Sequence, residues 1–441
     1  MTAARTNEPR LLVPLDAPLD ADIVVPGSKS ITNRALVAAA LAPGRSELTG
    51  VLFADDTEAM LDSLDRLGVG LEIDRDVAAV VVHGTGGELP SGPIELDARL
   101  SGTTSRFLLP LLSLGTGPYR VDGAEPLRAR PMGDVLDALV TLGAEIMPGE
   151  RPGHLPVYVR GSISSRAEVS LRADVSSQFA SGLLLAAPCR PNGLTIRLEG
   201  PIVSQPYLDL TVAVMQSFGA TVERPDRATY VVQPGGYRAT TYAVEPDASA
   251  ASYFFAAPLV AGGRVRVLGL HAGAQQGDIR FVDELARAGA VVRDTPAGIE
   301  VRAHGTAQGI DTDFTHISDT AQTLAAVAVF ADGPTTIDGI GFIRRKETDR
   351  IAAVVTELRR CGIVAHERGD GLRIEPGAPQ PATIETYDDH RMAMSFALLG
   401  LRAPDIRIAD PGCVAKTFPT FWDVFESLRT GGNAPGATVA E

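Results

Sequence analysis

Three ammonium groups are the first candidates for chemistry. The chain carries 40 Lys plus Arg, yet only Lys29, Lys346 and Lys416 are lysines. Lysine is a compact point charge whose pKa can be lowered, so it can donate a proton; arginine is a planar fork that stays charged. A chain that uses arginine by default keeps lysine where arginine cannot substitute, which marks these three as site residues. Their strings are Pro26-Gly27-Ser28-Lys29-Ser30, Arg344-Arg345-Lys346-Glu347-Thr348-Asp349-Arg350 and Cys413-Val414-Ala415-Lys416-Thr417. Glu347 beside Lys346 offers an acid/base pair of opposite charge. At helical spacing, Lys346 and Arg350 share a face, as do Arg345 and Asp349.

Three strings, the Lys29 string and two more, read as helix starts that could hold an anion. In the first, Lys29 and Arg34 lie five apart after a Pro-Gly turn, so both can reach the entrance of an apolar helix. The second is Leu100-Ser101-Gly102-Thr103-Thr104-Ser105-Arg106, and the third is Asp174-Val175-Ser176-Ser177-Gln178. Amide N–H groups at such starts, with small hydroxyl side chains, favour phosphate or carboxylate. The Gly-x4-Gly-Lys spacing of a nucleotide-binding loop is absent. His316-Ile317-Ser318-Asp319 and Asp388-Asp389-His390-Arg391 add carboxylates and a cation. His390 reads equally well as a buried structural residue, whereas Arg391 suits an anion.

These residues need a scaffold, and the chain shows one by repetition. An amphipathic helix ends in glycine and a short apolar strand follows, at Gly68, Gly143, Gly219, Gly289 and Gly362. Each glycine is expected to be a left-handed C-cap. A sixth helix, from Phe421 to Leu428, lacks a following strand, which Leu11 to Pro14 could supply. The reading is six α/β units of roughly 70 residues, three per domain. The domains are expected to be 1–25 plus 246–431, and 26–245, with a flexible tail at 432–441.

Composition narrows the function classes. With 45% hydrophobic and 21% charged residues, the chain reads as globular with a large core. A net charge of -14 disfavours nucleic acid as a partner. Cys189, Cys361 and Cys413 are few and far apart, so reduced thiols in a cytoplasmic protein are expected, and no metal site. The first residues lack the apolar stretch of a signal peptide, and no uncharged apolar run reaches membrane-spanning length, so no membrane partner is expected.

Taken together these strings, with Val203-Ser204-Gln205-Pro206-Tyr207 and Gln276-Gly277-Asp278, resemble the 5-enolpyruvylshikimate-3-phosphate synthases, enolpyruvyl transferases also called 3-phosphoshikimate 1-carboxyvinyltransferases. The resemblance runs from about Leu11 to Leu428. It implies an α/β fold of two domains, each of three βαβαββ repeats with helices inside and sheets outside, an inside-out barrel. It also implies that the 5-hydroxyl of shikimate 3-phosphate attacks C2 of phosphoenolpyruvate, C3 is protonated and phosphate leaves. No cofactor or metal is implied, and a monomer that encloses its substrates is expected.

Carried onto this sequence, Lys29, Ser30 and Arg34 hold shikimate 3-phosphate, with Ser176, Ser177, Gln178, Ser204 and Tyr207 completing the phosphate and ring contacts. Gly102, Thr103, Arg130, Arg350, Arg391 and Lys416 surround phosphoenolpyruvate, which Lys29 also approaches. Asp319 accepts the 5-hydroxyl proton, Glu347 exchanges a proton with C3, and Lys346 touches the shikimate hydroxyl or phosphate region. The resemblance thus gives Lys29, Asp319, Glu347 and Lys416 the catalytic parts.

Three positions depart from the family pattern: Arg99-Leu100-Ser101 where an Asn usually precedes Gly102, Phe107 after Arg106 where proline is common, and Phe342 where a polar residue is frequent. They bear on the shape of the phosphoenolpyruvate pocket, which the herbicide glyphosate occupies in this family. Related transferases that act on UDP-N-acetylglucosamine carry a reactive Cys five residues before an Arg-Pro pair; here Arg130-Pro131 follows Ala124-Glu125-Pro126-Leu127, without one. The pattern is also compatible with a transferase for a modified shikimate and with a non-catalytic anion-binding scaffold. Lys29, Asp319, Glu347 and Lys416 argue against the scaffold.

Overall fold

Five helices stop where glycine lets the backbone turn left-handed. Asp55–Arg66, Gly133–Thr141, Gln205–Ser217, Phe281–Arg287 and Arg350–Arg360 are followed by Gly68, Gly143, Gly219, Gly289 and Gly362, with φ between +76° and +99°. A side chain is disfavoured there, and glycine carries no such penalty. A strand begins soon after each cap, at Gly70, Glu145, Val222, Val291 and Ala365. The computed structural model describes residues 8–162 and 165–430. The tail expected at 432–441 lies outside the described residues.

The chain divides into two units, Gly27–Glu245, and Met1–Pro26 with Pro246–Glu441. Each has three small sheets built to one plan. In Ile94–Asp97, Tyr119–Asp122, Val157–Arg160 and Glu145–Pro148, the first two strands are parallel and the others antiparallel. The same order recurs in the sheet of Glu168–Arg172, Leu194–Glu199, Thr229–Val232 and Val222–Glu223. The remaining sheet of this unit takes its parallel edge strand, Thr241–Ala243, from the unit's far end. In the other unit, Leu19–Ile23 pairs with Gly263–Leu268 before the chain first crosses over. Arg10–Leu11, rather than the expected Leu11 to Pro14, pairs antiparallel with Ile406–Ile408, so the N-terminus adds a strand to the last repeat, whose sheet has three strands among the described residues where the others have four.

Two kinds of helix alternate. Lys29–Leu41, Gly102–Leu112 and Ser177–Ala186 are apolar on nearly every side and almost wholly buried. Ala248–Ala261, Ala321–Ala328 and His390–Ala397 are their counterparts in the other unit. A helix that is apolar all round belongs in a core. The strands alternate buried and exposed residues, as in Glu168–Arg172 and Leu194–Glu199, so each sheet turns one face to its helices and one to solvent. Each unit therefore has its own core, with helices inside and sheets outside.

The entry to the first buried helix is tightly made. A Cβ on Gly27 would lie 1.7 Å from the Gly50 carbonyl oxygen, so no side chain fits where the chain enters the unit. The string from Lys346 to Arg350 differs from the sequence expectation. It is not a helical face. A 3₁₀ turn, Gly341–Arg345, ends at Lys346, and the next helix starts only at Arg350. Asp349 caps that helix, accepting from the Ala352 N–H at 3.0 Å, and its carboxylate pairs with Arg344 rather than Arg345. An acid that competes for backbone N–H groups favours a cap over a helix interior.

No helix among the described residues is long and apolar enough to cross a membrane. Leu12 shows what the N-terminal strand contributes. It is buried, its N–H donates to Ile406, and a Cβ on Gly400 would clash with its side chain. Leu12→Ala should destabilise the protein by about 2–5 kcal/mol, read as a lower urea midpoint. An unchanged midpoint would show that this strand adds nothing.

Candidate active site

In the unit that holds both termini, three carboxylates and four cations form one linked cluster. Arg350 opens its helix and is 2% exposed. Its Nε donates to Asp389 at 2.7 Å, its Nη1 to Asp319 at 3.1 Å and its Nη2 to Glu347 at 2.8 Å. Asp319 sits in the 3₁₀ turn Ser318–Thr320, just before the buried helix Ala321–Ala328. It also accepts from Lys346 Nζ at 3.1 Å and Arg391 Nη2 at 2.9 Å. Arg391 Nη1 reaches back to the Asp319 carbonyl at 2.9 Å. Lys416, from the 3₁₀ turn Pro411–Lys416, donates to Glu347 Oε1 at 3.2 Å, whereas Arg350 Nη2 meets Oε2.

The backbone explains why these side chains meet. Asp389 caps His390–Ala397 by accepting the Arg391 N–H at 2.9 Å, and the same carboxylate holds Arg350. One residue thus ties the start of one helix to the start of another. Asp389 was not singled out from sequence as a site residue; its signal was its place just before an apolar helix, where an acid is a common cap.

Charge and burial compete across the cluster. Burial works against the Arg350 charge, but Asp389, Glu347 and Asp319 overcome it and raise its pKa. The protein packed around the Lys346 ammonium lowers its pKa, with Arg350 adding to the effect and Asp319 opposing it. Asp278 is buried nearby. Desolvation first and the Asp319 charge second push its carboxyl up to about 6, against the Ser249 hydroxyl, which donates to it, and Arg391. Burial also lifts the Tyr253 hydroxyl, which accepts from Arg391, to about 12. Nothing in the spacing of Gln276-Gly277-Asp278 announces the depth of Asp278.

In the other unit the candidate residues gather at the starts of three buried helices. Ser28, Ser101 and Ser176 cap them, each accepting a backbone N–H from the first turn. Lys29 Nζ lies 3.2 Å from Asp56, whose side chain is 4% exposed. The Asp56 carbonyl accepts from Thr104 Oγ1 at 2.9 Å, which joins the first helix start to the second. Gln178 joins the second to the third, donating to Thr103 Oγ1 at 3.1 Å and accepting from Arg106 at 2.6 Å. A Cβ on Gly102 would stand 3.0 Å from Arg130 Nη1 and 3.4 Å from Arg106 Nη1. The missing side chain lets two guanidinium groups lie over the helix start. Asp56 was not foreseen, because an acid in the first turn of an amphipathic helix is ordinary.

Arg34 is placed differently from the helix-entrance position expected for it. It is 1% exposed and turned inward. Nε donates to Thr211 at 2.8 Å, Nη1 to the Ser30 carbonyl at 2.8 Å, and Nη2 to the Tyr207 carbonyl at 3.2 Å and Ser181 at 3.4 Å. Phe107, one of the departures from the family pattern, supports it with its ring 5.1 Å from the guanidinium carbon. Ser204 begins its helix with φ +54°, a left-handed start that sets up Tyr207 one turn on. Phe342 packs partly buried against the core.

Comparison with known proteins gives these arrangements a context. The sequence matches the EPSP synthase family, described as EPSP synthase (3-phosphoshikimate 1-carboxyvinyltransferase), over residues 15–425. It is 46% identical over 412 residues to 3-phosphoshikimate 1-carboxyvinyltransferase of Nostoc punctiforme, covering 93% of this chain and 97% of that one. The Laribacter hongkongensis protein of the same name is 42% identical over 420 residues, covering 94% and 98%. The structure is similar to EPSP synthase of Acinetobacter baumannii, with a TM-score of 0.79 and 27% identity over 95% of this chain and 97% of that one. The enolpyruvyl transferase NikO of Streptomyces tendae shares the fold, with a TM-score of 0.75 at 18% identity over 96% and 97%. The chain belongs to the EPSP synthase family.

Proposed function

We propose that the protein transfers the enolpyruvyl group of phosphoenolpyruvate to the 5-hydroxyl of shikimate 3-phosphate and releases phosphate. The observation that carries this reading is the cluster around Arg350. Asp319 and Glu347 are each held by more than one cation, so each is aimed without being paired off with a single partner. Transfer needs a base for the attacking hydroxyl, an acid for C3 and cations for two polyanions.

The roles follow from the contacts. Asp319 takes the 5-hydroxyl proton as the oxygen attacks C2, and Lys346 beside it meets the shikimate hydroxyl or phosphate region. Glu347 delivers a proton to C3. Arg350, Arg391 and Lys416 receive phosphoenolpyruvate; Gly102, Thr103 and Arg130 are the phosphoenolpyruvate residues that the family resemblance adds. Phosphoenolpyruvate draws on Arg350 and Lys416, the two cations that hold Glu347. The C2–phosphate bond of the tetrahedral intermediate then breaks as Glu347 takes a proton back from C3, which restores the enol double bond and frees phosphate.

For shikimate 3-phosphate we propose Lys29, Ser30, Ser176, Ser177, Gln178, Ser204 and Tyr207. Serine-capped helix starts, whose first turns carry no acid, leave their positive ends for its phosphate. Arg34 fixes the Ser30 and Tyr207 backbones, and so the direction of both side chains. The reading includes a cytoplasmic monomer that binds no nucleic acid; the net charge of -14 supports the last point.

Phosphate release from the two substrates tests the reaction. Turnover is expected, and silence with this pair but turnover with UDP-N-acetylglucosamine would replace the reading. Lys29→Arg keeps the charge but puts a wide fork where a narrow ammonium meets Asp56, so kcat/KM should fall about 100-fold, or about 2.7 kcal/mol. Near-normal turnover would defeat the role given to Lys29. Asp319→Asn should lower kcat by about 10²- to 10⁴-fold, the usual share of a general base.

Asp278 adds a pH signature. Its folded pKa, about 6, exceeds the ordinary 3.8 of an unfolded carboxyl. The stability tied to this group is therefore full below pH 3.8 and is lost as pH rises through about 6. The advantage of Asp278→Asn over the wild type should grow across that window and level off above it. Denaturation midpoints measured at each pH would show this, and parallel curves would rule it out.

A further inference from the structure

The helix Arg350–Arg360 grips the segment ahead of His390–Ala397 at two places. At its first residue, Arg350 binds Asp389. Two turns on, Glu357 is fully buried. Its carboxylate accepts from the Tyr387 hydroxyl at 2.6 Å, the Glu385 N–H at 3.0 Å and Arg360 Nη2 at 3.3 Å. Between the two grips lies Thr386–Asp389, a turn closed by the Asp389 N–H on the Thr386 carbonyl at 2.9 Å.

Both central residues of that turn, Tyr387 and Asp388, have φ of +55°. Two successive left-handed residues mark a turn of the kind usually filled by Asn and Gly. Tyrosine is a poor choice for such a backbone. A conformation of this kind persists where the surroundings over-determine it, and such sites cluster around function. Here Glu357 holds the side chain of one central residue and the backbone N–H ahead of the turn.

We propose that Glu357 and Tyr387 form a positioning clamp for the reaction. They keep the turn left-handed, and the turn sets Asp389. The Asp389 N–H closes the turn, while its carboxylate binds Arg350 and caps the helix that carries Arg391. If the turn relaxes, that carboxylate moves, and with it the two guanidinium groups that share Asp319. The clamp rests on the function proposed above, because its effect is read through those groups. Tyr387 is 40% exposed, so altering it leaves the core intact.

The test compares full-length Tyr387→Phe, Tyr387→Asn and Glu357→Gln with the wild type, using shikimate 3-phosphate and phosphoenolpyruvate. Tyr387→Phe and Glu357→Gln should each lower kcat roughly 10- to 100-fold, the scale of a small misplacement of reacting groups. KM should rise for phosphoenolpyruvate and stay within about twofold of wild type for shikimate 3-phosphate, as groups displaced on one side only would give. Tyr387→Asn loses the hydroxyl but enters the left-handed region readily, so it should keep more activity than Tyr387→Phe. Simple side-chain likeness gives the opposite order. A Tyr387→Phe enzyme with wild-type kcat, a Tyr387→Asn enzyme no better than Tyr387→Phe, or losses that only track the folded fraction would overturn the clamp. Hydrogen exchange needs no turnover: the Asp389 amide should exchange about tenfold faster in Tyr387→Phe, as expected for a locally opened segment. Unchanged exchange overturns the proposal, whereas an inactive wild type would overturn only the proposed function.

Discussion

Everything in the candidate reaction cluster turns on one guanidinium group. Arg350 is nearly sealed from water and spends its fork on three carboxylates, each from a different stretch of chain. A charge so placed would be intolerable alone, and removing one partner of a buried ion pair commonly costs about 3–5 kcal/mol. Its position is therefore over-determined. Asp319 and Glu347 inherit that rigidity, because each is fixed to the same planar group. Two carboxylates 28 residues apart in sequence become neighbours with set directions. An isolated surface pair could not do this, since long exposed side chains trade partners at little cost.

The fold delivers such groups by rule. Each repeat contributes a buried apolar helix, and Lys29, Gly102, Ser177, Asp319 and Arg391 sit at or near the starts of these helices. The two units use the same geometry with opposite chemistry. In Gly27–Glu245 the caps are the serines at 28, 101 and 176, which are neutral. The helix ends there keep their positive character for a ligand. In the other unit Asp247 and Asp389 are the caps and Asp319 stands just before its helix. Asp247 and Asp389 satisfy their helix ends themselves, and Asp319 and Asp389 are held by cations. Phosphate binding thus suits the first unit and proton transfer the second, from one repeated plan.

What could be read along the chain was what depends on neighbours in sequence. The five glycine caps, the anion-ready helix starts and the borrowed N-terminal strand each rest on a few adjacent residues or on a period. The inward turn of Arg34 could not be read that way, because Thr211, Ser181 and Tyr207 lie far along the chain. Spacing places Lys29 and Arg34 on one helix but says nothing of which packs against a distant hydroxyl. The misjudged stretch was the string from Lys346 to Arg350. Its charges fit helical spacing, yet Asp349 takes the cap position and the helix begins one residue later. Asp56 and Asp278 escaped notice for a related reason. Burial gives each its character, and burial is a property of the whole unit.

The scarcity of lysine acquires a physical sense from these contacts. Pairs on the surface are built with arginine, as in Arg172–Asp174 and Arg368–Asp338. Each lysine instead meets a carboxylate with little exposure: Lys29 with Asp56, Lys346 with Asp319 and Lys416 with Glu347, all at 3.1–3.2 Å. An ammonium offers one compact charge with three rotatable donors, so it can stay near its carboxylate and still turn toward an incoming oxyanion. A guanidinium in the same place would commit a rigid plane of donors. The difference matters most for Lys416 and Glu347, where in the proposed mechanism the cation that steadies the acid also yields to substrate. Arg350 contributes the rigidity at the second oxygen of Glu347, and Lys416 contributes the freedom at the first.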